Sequence, residues 1–420
     1  MSGKTERYEL AISFLGTGDY KPATYEWNGK ECTTRYFAAA VCQFWPVDQL
    51  MVLATPRAQE KNGAALETEL QHSGCHVQHH FVPIPECRTE DEMWQLFDVL
   101  SDQLRQYQKQ RIVLDVTHGY RSLPVLALMA AAYLRMAADI TVSKIVYGAY
   151  DARQDDRVPV FDLTQFLALL EWTSATEQFL KTGNASSVAK LLKQAHDVPY
   201  LAGVPRDIRP TELKKAASAL ETFSHALHVL RPKYTLDGAI MLDDALRRAE
   251  PEVRPWAKPF GVLLDRIRTA TQRFLSARSN DPIRAHLGVQ RAMIDWYMEH
   301  ERYVEAGLLM REFVVSWVAC WAGADVFDQK AREHVEQQLN DRSHALRPNR
   351  RGPAVKVDAD VLPGIGEEIV RIWDKLTQLR NDLAHAKDDA GPQSVIARVQ
   401  ALAKEVQALP LPECGAGAAS

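Results

Sequence analysis

The sequence contains no C-x-x-C pair and no regular cysteine framework, since its six cysteines stand at positions 32, 42, 75, 87, 320 and 414. This spacing argues against a zinc ribbon and a disulfide scaffold, and it predicts reduced thiols in a cytoplasmic protein. The densest group of metal-capable side chains reads as part of a β-strand, where successive side chains point to opposite faces, so we predict no metal site. That group is His72, Cys75, His76, His79 and His80.

Long apolar runs and an excess of charge of one sign are also lacking. The longest apolar stretch, 123–138, is interrupted by Tyr133 and Arg135 and is too short to span a bilayer. The first ten residues are polar and do not resemble a secretory signal. With 54 acidic and 50 basic residues the net charge is only -4, so any contact with nucleic acid must be local. We therefore predict no contact with a membrane.

A chain of 420 residues is long enough for two domains or more. Up to residue 165, short β-rich runs alternate with helical patterns, which predicts an α/β domain with a Rossmann-like, doubly wound parallel sheet. Beyond it we predict only helices: a connector over 166–300, a second helical domain over 301–410 and a flexible tail over 411–420. The predicted strands are 10–15, 50–55, 76–83, 111–116, 141–150 and a hairpin return at 158–163. The predicted helices include 56–72 between two of these strands and 239–248 in the connector.

Two turns that follow predicted strands are candidates for an anion-binding site, because ligands of parallel sheets bind beyond the carboxyl ends of the strands. Gly16, Thr17 and Gly18 follow the first strand, where glycines let backbone amides approach a ligand. The segment Asp115–Pro124 joins a strand to a helix N-terminus and carries hydroxyl, imidazole and guanidinium donors. The alternatives are a tight turn without a ligand and a buried Asp115 and His118 with structural roles.

Five dispersed segments, in order, resemble the CARF domain of CRISPR-associated ribonucleases from type III systems. They are Phe14–Gly18, Thr34 with Tyr36 and Phe37, Leu53–Thr55 with Ala58, Asp115–Pro124, and Tyr147–Ala149 with Asp162–Thr164. The resemblance implies a homodimer, or a higher homo-oligomer, that binds a cyclic oligoadenylate, most often cyclic tetra-adenylate, across its two-fold axis. The ring contacts that it implies are Gly16, Thr17, Gly18, Thr117, His118, Gly119, Arg121 and Ser122, with Thr34 and Thr55 as weaker candidates.

The segment Arg380-Asn381-Asp382-Leu383-Ala384-His385, on a predicted helix over 364–387, resembles the motif of HEPN ribonucleases. The resemblance implies metal-independent cleavage of single-stranded RNA by Arg380, Asn381 and His385, with two motifs facing each other across a dimer. At about 100° per residue, Arg380 lies about 140° from His385 around the helix. One regular helix therefore does not complete the site, so either the helix is distorted or a second copy contributes.

Two further groups are candidates for supporting roles. Glu312 is the candidate for the acidic residue that the HEPN family places near its histidine, although a surface carboxylate is an equal alternative. Arg347, Arg350 and Arg351 lie in a basic segment rich in Pro and Gly, and they either hold the RNA backbone or solubilise a loop.

The competing functions are a ring-binding regulator without catalysis and a ribonuclease that also degrades its activator in the CARF domain. A dehydrogenase is disfavoured, because the G-x-G-x-x-G fingerprint and its acidic partner are missing.

Overall fold

The protein is described from a computed structural model, which covers residues 7–73, 77–107, 109–118, 122–138, 141–346, 362, 364–384 and 391–417. The chain divides into two compact units, Met1–Glu171 and Trp172–Ser420. Within the described part of the chain, no helix is both long enough and apolar enough to cross a membrane.

The N-terminal unit is built on one eight-stranded sheet in the order β3-β2-β8-β7-β6-β1-β4-β5. The five strands from β7 to β5 run parallel, while β8 returns antiparallel to β7 and β2 pairs antiparallel with β3. The predicted parallel sheet is thus confirmed for its main section and extended by antiparallel strands at one side. The strands are Tyr8–Leu15 (β1), Ala23–Trp27 (β2), Lys30–Thr34 (β3), Val47–Ala54 (β4), Gln78–Pro83 (β5), Arg111–Asp115 (β6), Thr141–Gly148 (β7) and Arg157–Asp162 (β8).

Helices cover the two faces of this sheet, as the doubly wound prediction requires. Ala11 and Leu15 of β1 pack in one core with residues of α1 and α2, whereas Leu10, Ile12 and Phe14 pack in the other with residues of α3 and α4. This division follows from the alternation of side chains along a strand. The helices are Phe37–Phe44 (α1), Pro56–His72 (α2), Glu90–Leu104 (α3) and Ser122–Ala138 (α4).

The β2–β3 hairpin is absent from our predictions. Its turn is Asn28-Gly29, and both residues have positive φ, of 48° and 77°. An Asn-Gly pair between alternating apolar residues is a strong hairpin signal, because a two-residue turn of this type needs positive φ at both positions. The signal was therefore present in the sequence, flanked by the buried Tyr25 and Cys32.

The C-terminal unit is helical throughout its described part, as predicted. The first of its helices, α5, begins before the division between the units and ends after it. At the centre of the C-terminal unit, α11 packs against α10, α12, α13 and α14. The helices are Thr164–Thr182 (α5), Ser186–Leu201 (α6), Leu213–His228 (α7), Pro232–Trp256 (α8), Lys258–Leu275 (α9), Pro282–Glu299 (α10), Tyr303–Trp321 (α11), Gln329–Leu346 (α12), Glu367–Ala384 (α13) and Pro392–Ala408 (α14).

The C-terminal segment 409–417 departs from two expectations. Cys320 and Cys414 form a disulfide, so the prediction of reduced thiols fails for this pair. The tail also packs instead of fraying, since the Trp317 indole donates to the Pro410 carbonyl (2.7 Å) and the Gly415 amide donates to the Cys320 carbonyl (2.9 Å). We call this segment the C-terminal strap. A single well-placed cysteine pair far apart in sequence leaves no spacing pattern, which is why the sequence did not indicate it.

Candidate functional site

Adjacent strands bring the two predicted turns of the N-terminal unit to the same edge of the sheet. β1 lies between β6 and β4, and Leu15 pairs with Ala54 at the carboxyl ends of β1 and β4. Gly16 follows β1 directly, and Thr117 follows β6 by two residues. The strand order also reverses at β1, since the chain passes from β1 to β4 on one side and reaches β6 on the other. A crevice at such a reversal is the usual ligand site of an open parallel sheet.

The loop from Gly16 to Gly18 is held from α2 by side chains that our sequence reasoning did not single out. The Asn62 amide donates to the carbonyls of Gly16 (2.9 Å) and Gly18 (3.1 Å). Lys61 donates to the Thr17 carbonyl (2.8 Å) and forms an ion pair with Asp19 (2.6 Å). With three consecutive carbonyls tied to α2, the loop has a fixed orientation, while Gly18 itself is exposed.

The second turn is anchored by Asp115, which is completely buried. Its carboxylate accepts hydrogen bonds from the Ser13 hydroxyl and from the Thr117 amide (2.8 Å). Burial raises the pKa of Asp115 to about 6, against the lowering effect of these donors. The Thr117 hydroxyl accepts from the Gly148 amide (2.8 Å), so Thr117 joins the ends of β6 and β7.

His118, within the second turn, is a largely buried, neutral side chain. Its Nε2 accepts from the Phe37 amide (3.4 Å), and desolvation lowers its pKa to about 4. The ring meets the Tyr20 ring edge-on with centroids 4.5 Å apart, and the Tyr20 hydroxyl accepts from the Gly16 amide (2.8 Å). Tyr20 therefore links the Gly16 loop to His118. With Nε2 accepting, the imidazole proton sits on Nδ1, and His118 can offer a neutral donor but little positive charge at pH 7.

The remaining predicted ligand contacts fall into two groups. Thr34 and Thr55 are buried, and their hydroxyls serve neighbouring protein groups. Thr34 donates to Glu69 (2.7 Å), and Thr55 caps α2 by accepting from the Ala58 amide (3.2 Å). Gly119 and Arg121 lie outside the described residues, as does the side chain of Ser122.

In the C-terminal unit, Arg380 and Glu312 line one cavity of about 590 Å³ between α10, α11, α12 and α13. We call it the arginine cavity, because Arg231, Arg311 and Arg332 also line it. The Arg380 guanidinium donates to the Asn381 side-chain oxygen (3.2 Å), so these two predicted residues are in contact. His385, Arg347, Arg350 and Arg351 lie outside the described residues.

Two features of α11 position this cavity. Gly307 allows a close approach of α13, because a Cβ at this position would lie 3.1 Å from the Leu383 side chain. Glu312 forms ion pairs with Arg332 (2.7 Å) and Arg311 (3.4 Å). Arg311 in turn contacts Glu336 (2.7 Å) and stacks over the buried Trp373 ring at 4.5 Å. Glu312 therefore orients two arginines whose positions in the sequence gave no indication of a site.

Two protein families and one curated relative are similar to parts of this chain. Residues 10–151 match the family described as the CARF domain of the CRISPR system endoribonuclease Csx1. Residues 168–276 match the second domain of the CRISPR-associated protein MJ1674. The MJ1674 protein of Methanocaldococcus jannaschii is itself 27% identical over 143 residues, which is 33% of this chain but only 23% of that relative.

Among solved structures, Enterococcus italicus Csm6 bound to cyclic hexa-2'-fluoro-hexa-dAMP aligns with a TM-score of 0.46 and 11% identity, over 95% of this chain and 93% of that one. The two sequence matches fall on consecutive parts of the chain, and the first contains the crevice described above. The N-terminal unit therefore contains a CARF domain similar to that of Csx1, and the residues that follow are similar to a CRISPR-associated protein.

Proposed function

We propose that this protein is a single-stranded RNA endoribonuclease that a cyclic oligoadenylate, with cyclic tetra-adenylate as the first candidate, activates allosterically. The observation that carries the proposal is the pair of anchored turns at the carboxyl ends of β1 and β6, inside a region that matches a CARF domain of a CRISPR endoribonuclease. A rigid crevice that presents backbone amides and a helix N-terminus suits the phosphates of such a ring.

The ring contacts that we propose are the two turns themselves. Thr17 and Gly18 would offer backbone amides and Thr17 a hydroxyl, while Gly16, whose amide donates to Tyr20, would let the ring approach the backbone. Asn62 pre-orients this loop. Thr117 to Ser122 would supply donors at the start of α4, and the charge would come from Arg121 rather than from the neutral His118. Thr34 and Thr55 have a supporting role in this proposal: Thr34 bonds Glu69, and Thr55 caps α2.

The proposed cleavage takes place at Arg380, Asn381 and His385 and requires no metal. The ribose 2′-oxygen loses its proton to a general base and bonds to the adjacent phosphorus, and the bond from phosphorus to the 5′-oxygen breaks. The leaving 5′-oxygen takes a proton, so the products are a 2′,3′-cyclic phosphate and a 5′-hydroxyl. His385 would exchange these protons, because an ordinary imidazole titrates near neutral pH. Arg380 would stabilise the charge that develops on the phosphoryl oxygens.

We further propose that the functional enzyme is a homodimer. A two-fold symmetric ring fits a two-fold symmetric crevice, and two copies would bring together side chains that one helix separates. The face of α3 and α4 suits such contact, since Trp94, Met129 and Tyr133 are 67%, 65% and 57% exposed and line an apolar pocket with Phe97. A large exposed apolar patch is typical of an interaction surface.

The test is cleavage of a labelled single-stranded RNA in the presence of EDTA, with rings of three, four and six adenylates supplied separately. We expect cleavage only in the reaction that contains the activating ring. The RNA products should then carry 2′,3′-cyclic phosphate ends. Arg380→Ala and His385→Ala should each lose most of this activity, while Arg371→Ala is the matched control, because Arg371 lies on the same helix and pairs only with Glu367 among its described contacts (3.0 Å). RNA left intact by a protein that binds a ring would instead support a regulator without catalysis.

A further inference from the structure

The arginine cavity extends inward from Arg380 to polar groups that the proposed cleavage does not use. Gln290 of α10 lines it, although its residue surface is only 2% exposed. Its side-chain oxygen is buried and, in the described structure, accepts no hydrogen bond. Nδ1 of His286, one turn earlier on α10, is likewise buried without a partner. Buried polar atoms are normally paired, because an unmet hydrogen bond costs free energy, so two unmet atoms on residues that line one cavity indicate a ligand that meets them.

The chemistry of the inner cavity differs from that of its rim. Burial and the nearby Arg332 lower the pKa of His286 to about 4, so both inner groups are neutral at pH 7. The Phe327 ring, 52% exposed, lies 5.2 Å from the His286 ring and supplies a flat apolar wall. At the rim, Arg380 and Arg231 donate to the neutral oxygens of Asn381 and of the Val229 backbone. The rim is therefore cationic, and the interior is neutral, polar and partly aromatic.

We propose that this cavity binds the base of the nucleotide beside the scissile phosphate, and that Gln290 selects bases that carry an exocyclic amino group. The arrangement matches a nucleotide: a planar, uncharged base for the interior and a phosphate for the arginines. An amide oxygen accepts from the amino groups of adenine, cytosine or guanine, and the side-chain amide of Gln is a recognised partner of adenine. Aromatic walls that stack on a splayed base are typical of recognition of single-stranded RNA. A volume of about 590 Å³ is within the range of small-molecule pockets.

This inference rests on the proposed ribonuclease function, so its test includes a measurement that needs no cleavage. The four nucleoside 3′-monophosphates are titrated into the full chain by calorimetry. We expect the adenine, cytosine and guanine nucleotides to bind more tightly than the uracil nucleotide. Gln290→Leu, which keeps the volume and removes the polar atoms, should weaken their binding by roughly tenfold and abolish the discrimination.

Two further variants keep the result interpretable. Phe327→Ala alters an exposed wall and should weaken all four nucleotides without unfolding the protein. Gln337→Leu is the matched control, because Gln337 is exposed on α12 and bonds only Asp341 among its described contacts (2.9 Å).

In a second measurement, a random-sequence RNA is cleaved with the activating ring present, and the product ends are sequenced. The wild type should cut next to bases that carry an amino group, and Gln290→Leu should lose this preference. Nucleotide binding that depends on Gln290 in a protein that cuts no RNA would support the cavity and contradict the proposed function. Ring-dependent cutting, with nucleotide affinities and cut sites unchanged in Gln290→Leu and Phe327→Ala, would overturn this inference alone.

Discussion

At the scale of single residues, the crevice of the N-terminal unit combines two buried groups with opposite pKa shifts. Asp115 has its pKa raised to about 6 from 3.8, and His118 has its pKa lowered to about 4 from 6.5, in both cases chiefly by desolvation. Burial disfavours the charged form of each group. At pH 7 His118 is neutral, and the Asp115 carboxylate is held by hydrogen bonds from Ser13 and Thr117, so neither group supplies positive charge to a ligand.

These two pKa shifts change the stability of the fold with pH in opposite directions. The raised pKa of Asp115 means that the folded state binds its proton more tightly, so stability falls as the pH rises from about 4 to 6. The lowered pKa of His118 acts in the opposite sense, since its contribution is complete above pH 6.5 and is lost as the pH falls towards 4. Between pH 5 and 6 the two contributions largely cancel in the wild type.

Single substitutions should separate these two contributions. Relative to the wild type, Asp115→Asn should lose stability on acidification from pH 6.5 to 5, and His118→Gln should gain it. The measurement is urea unfolding of the N-terminal unit, followed for each protein across that pH range. Parallel profiles for the two variants would contradict the assignment of these pKa shifts.

At the scale of elements, the C-terminal strap fixes the end of α11, the helix that carries Glu312. Besides the disulfide, the Gly417 amide donates to the Trp321 carbonyl (2.9 Å), and Arg291 donates to the Leu409 carbonyl. A link across 94 residues removes much conformational freedom from the unfolded chain. The strap therefore stabilises the unit mainly through the unfolded state, with its backbone hydrogen bonds as a smaller contribution.

Removing the Cys320–Cys414 disulfide should lower the stability of the C-terminal unit only in a buffer that allows the disulfide to form in the wild type. We expect Cys414→Ser to reduce the free energy of unfolding of the C-terminal unit by about 2–4 kcal/mol in oxidising buffer. With a strong reductant present, the variant and the wild type should have nearly equal melting temperatures. Cys87→Ser, which alters a free and half-buried thiol of the other unit, is the control. A wild-type melting temperature that does not respond to reductant would contradict this account.

Elements were predictable from the sequence where the signal was local. α2 runs from Pro56 to His72 as predicted, because Thr55 and Pro56 form a strong helix start. α8 was predicted only over 239–248, yet it continues through Pro251 and Pro255 to Trp256, since packing against α7 and α9 overrides the two prolines. Asn62 and Gln290 were not predictable as site residues, because their importance depends on partners that only the fold brings near them.

At the scale of the whole molecule, the proposal requires binding in one unit to change cutting in the other. Such control demands that the ring bind the active and inactive conformations with different affinity. A loop that is already ordered by Asn62 favours tight binding of the ring, because less of the binding free energy is spent on ordering it. Loosening the loop should then weaken binding and activation together, while the cutting chemistry at Arg380 stays intact.

The most direct measurement is a titration of the activating ring, with its binding and the rate of RNA cleavage followed in the same preparation. We predict that half-maximal cleavage coincides with half-maximal binding. Asn62→Ala, which removes both hydrogen bonds to the loop, should shift the two curves together by roughly tenfold, and Glu60→Ala on the exposed side of α2 should shift neither. Cleavage that proceeds without the ring, or binding that saturates while the cleavage rate stays constant, would contradict the central claim.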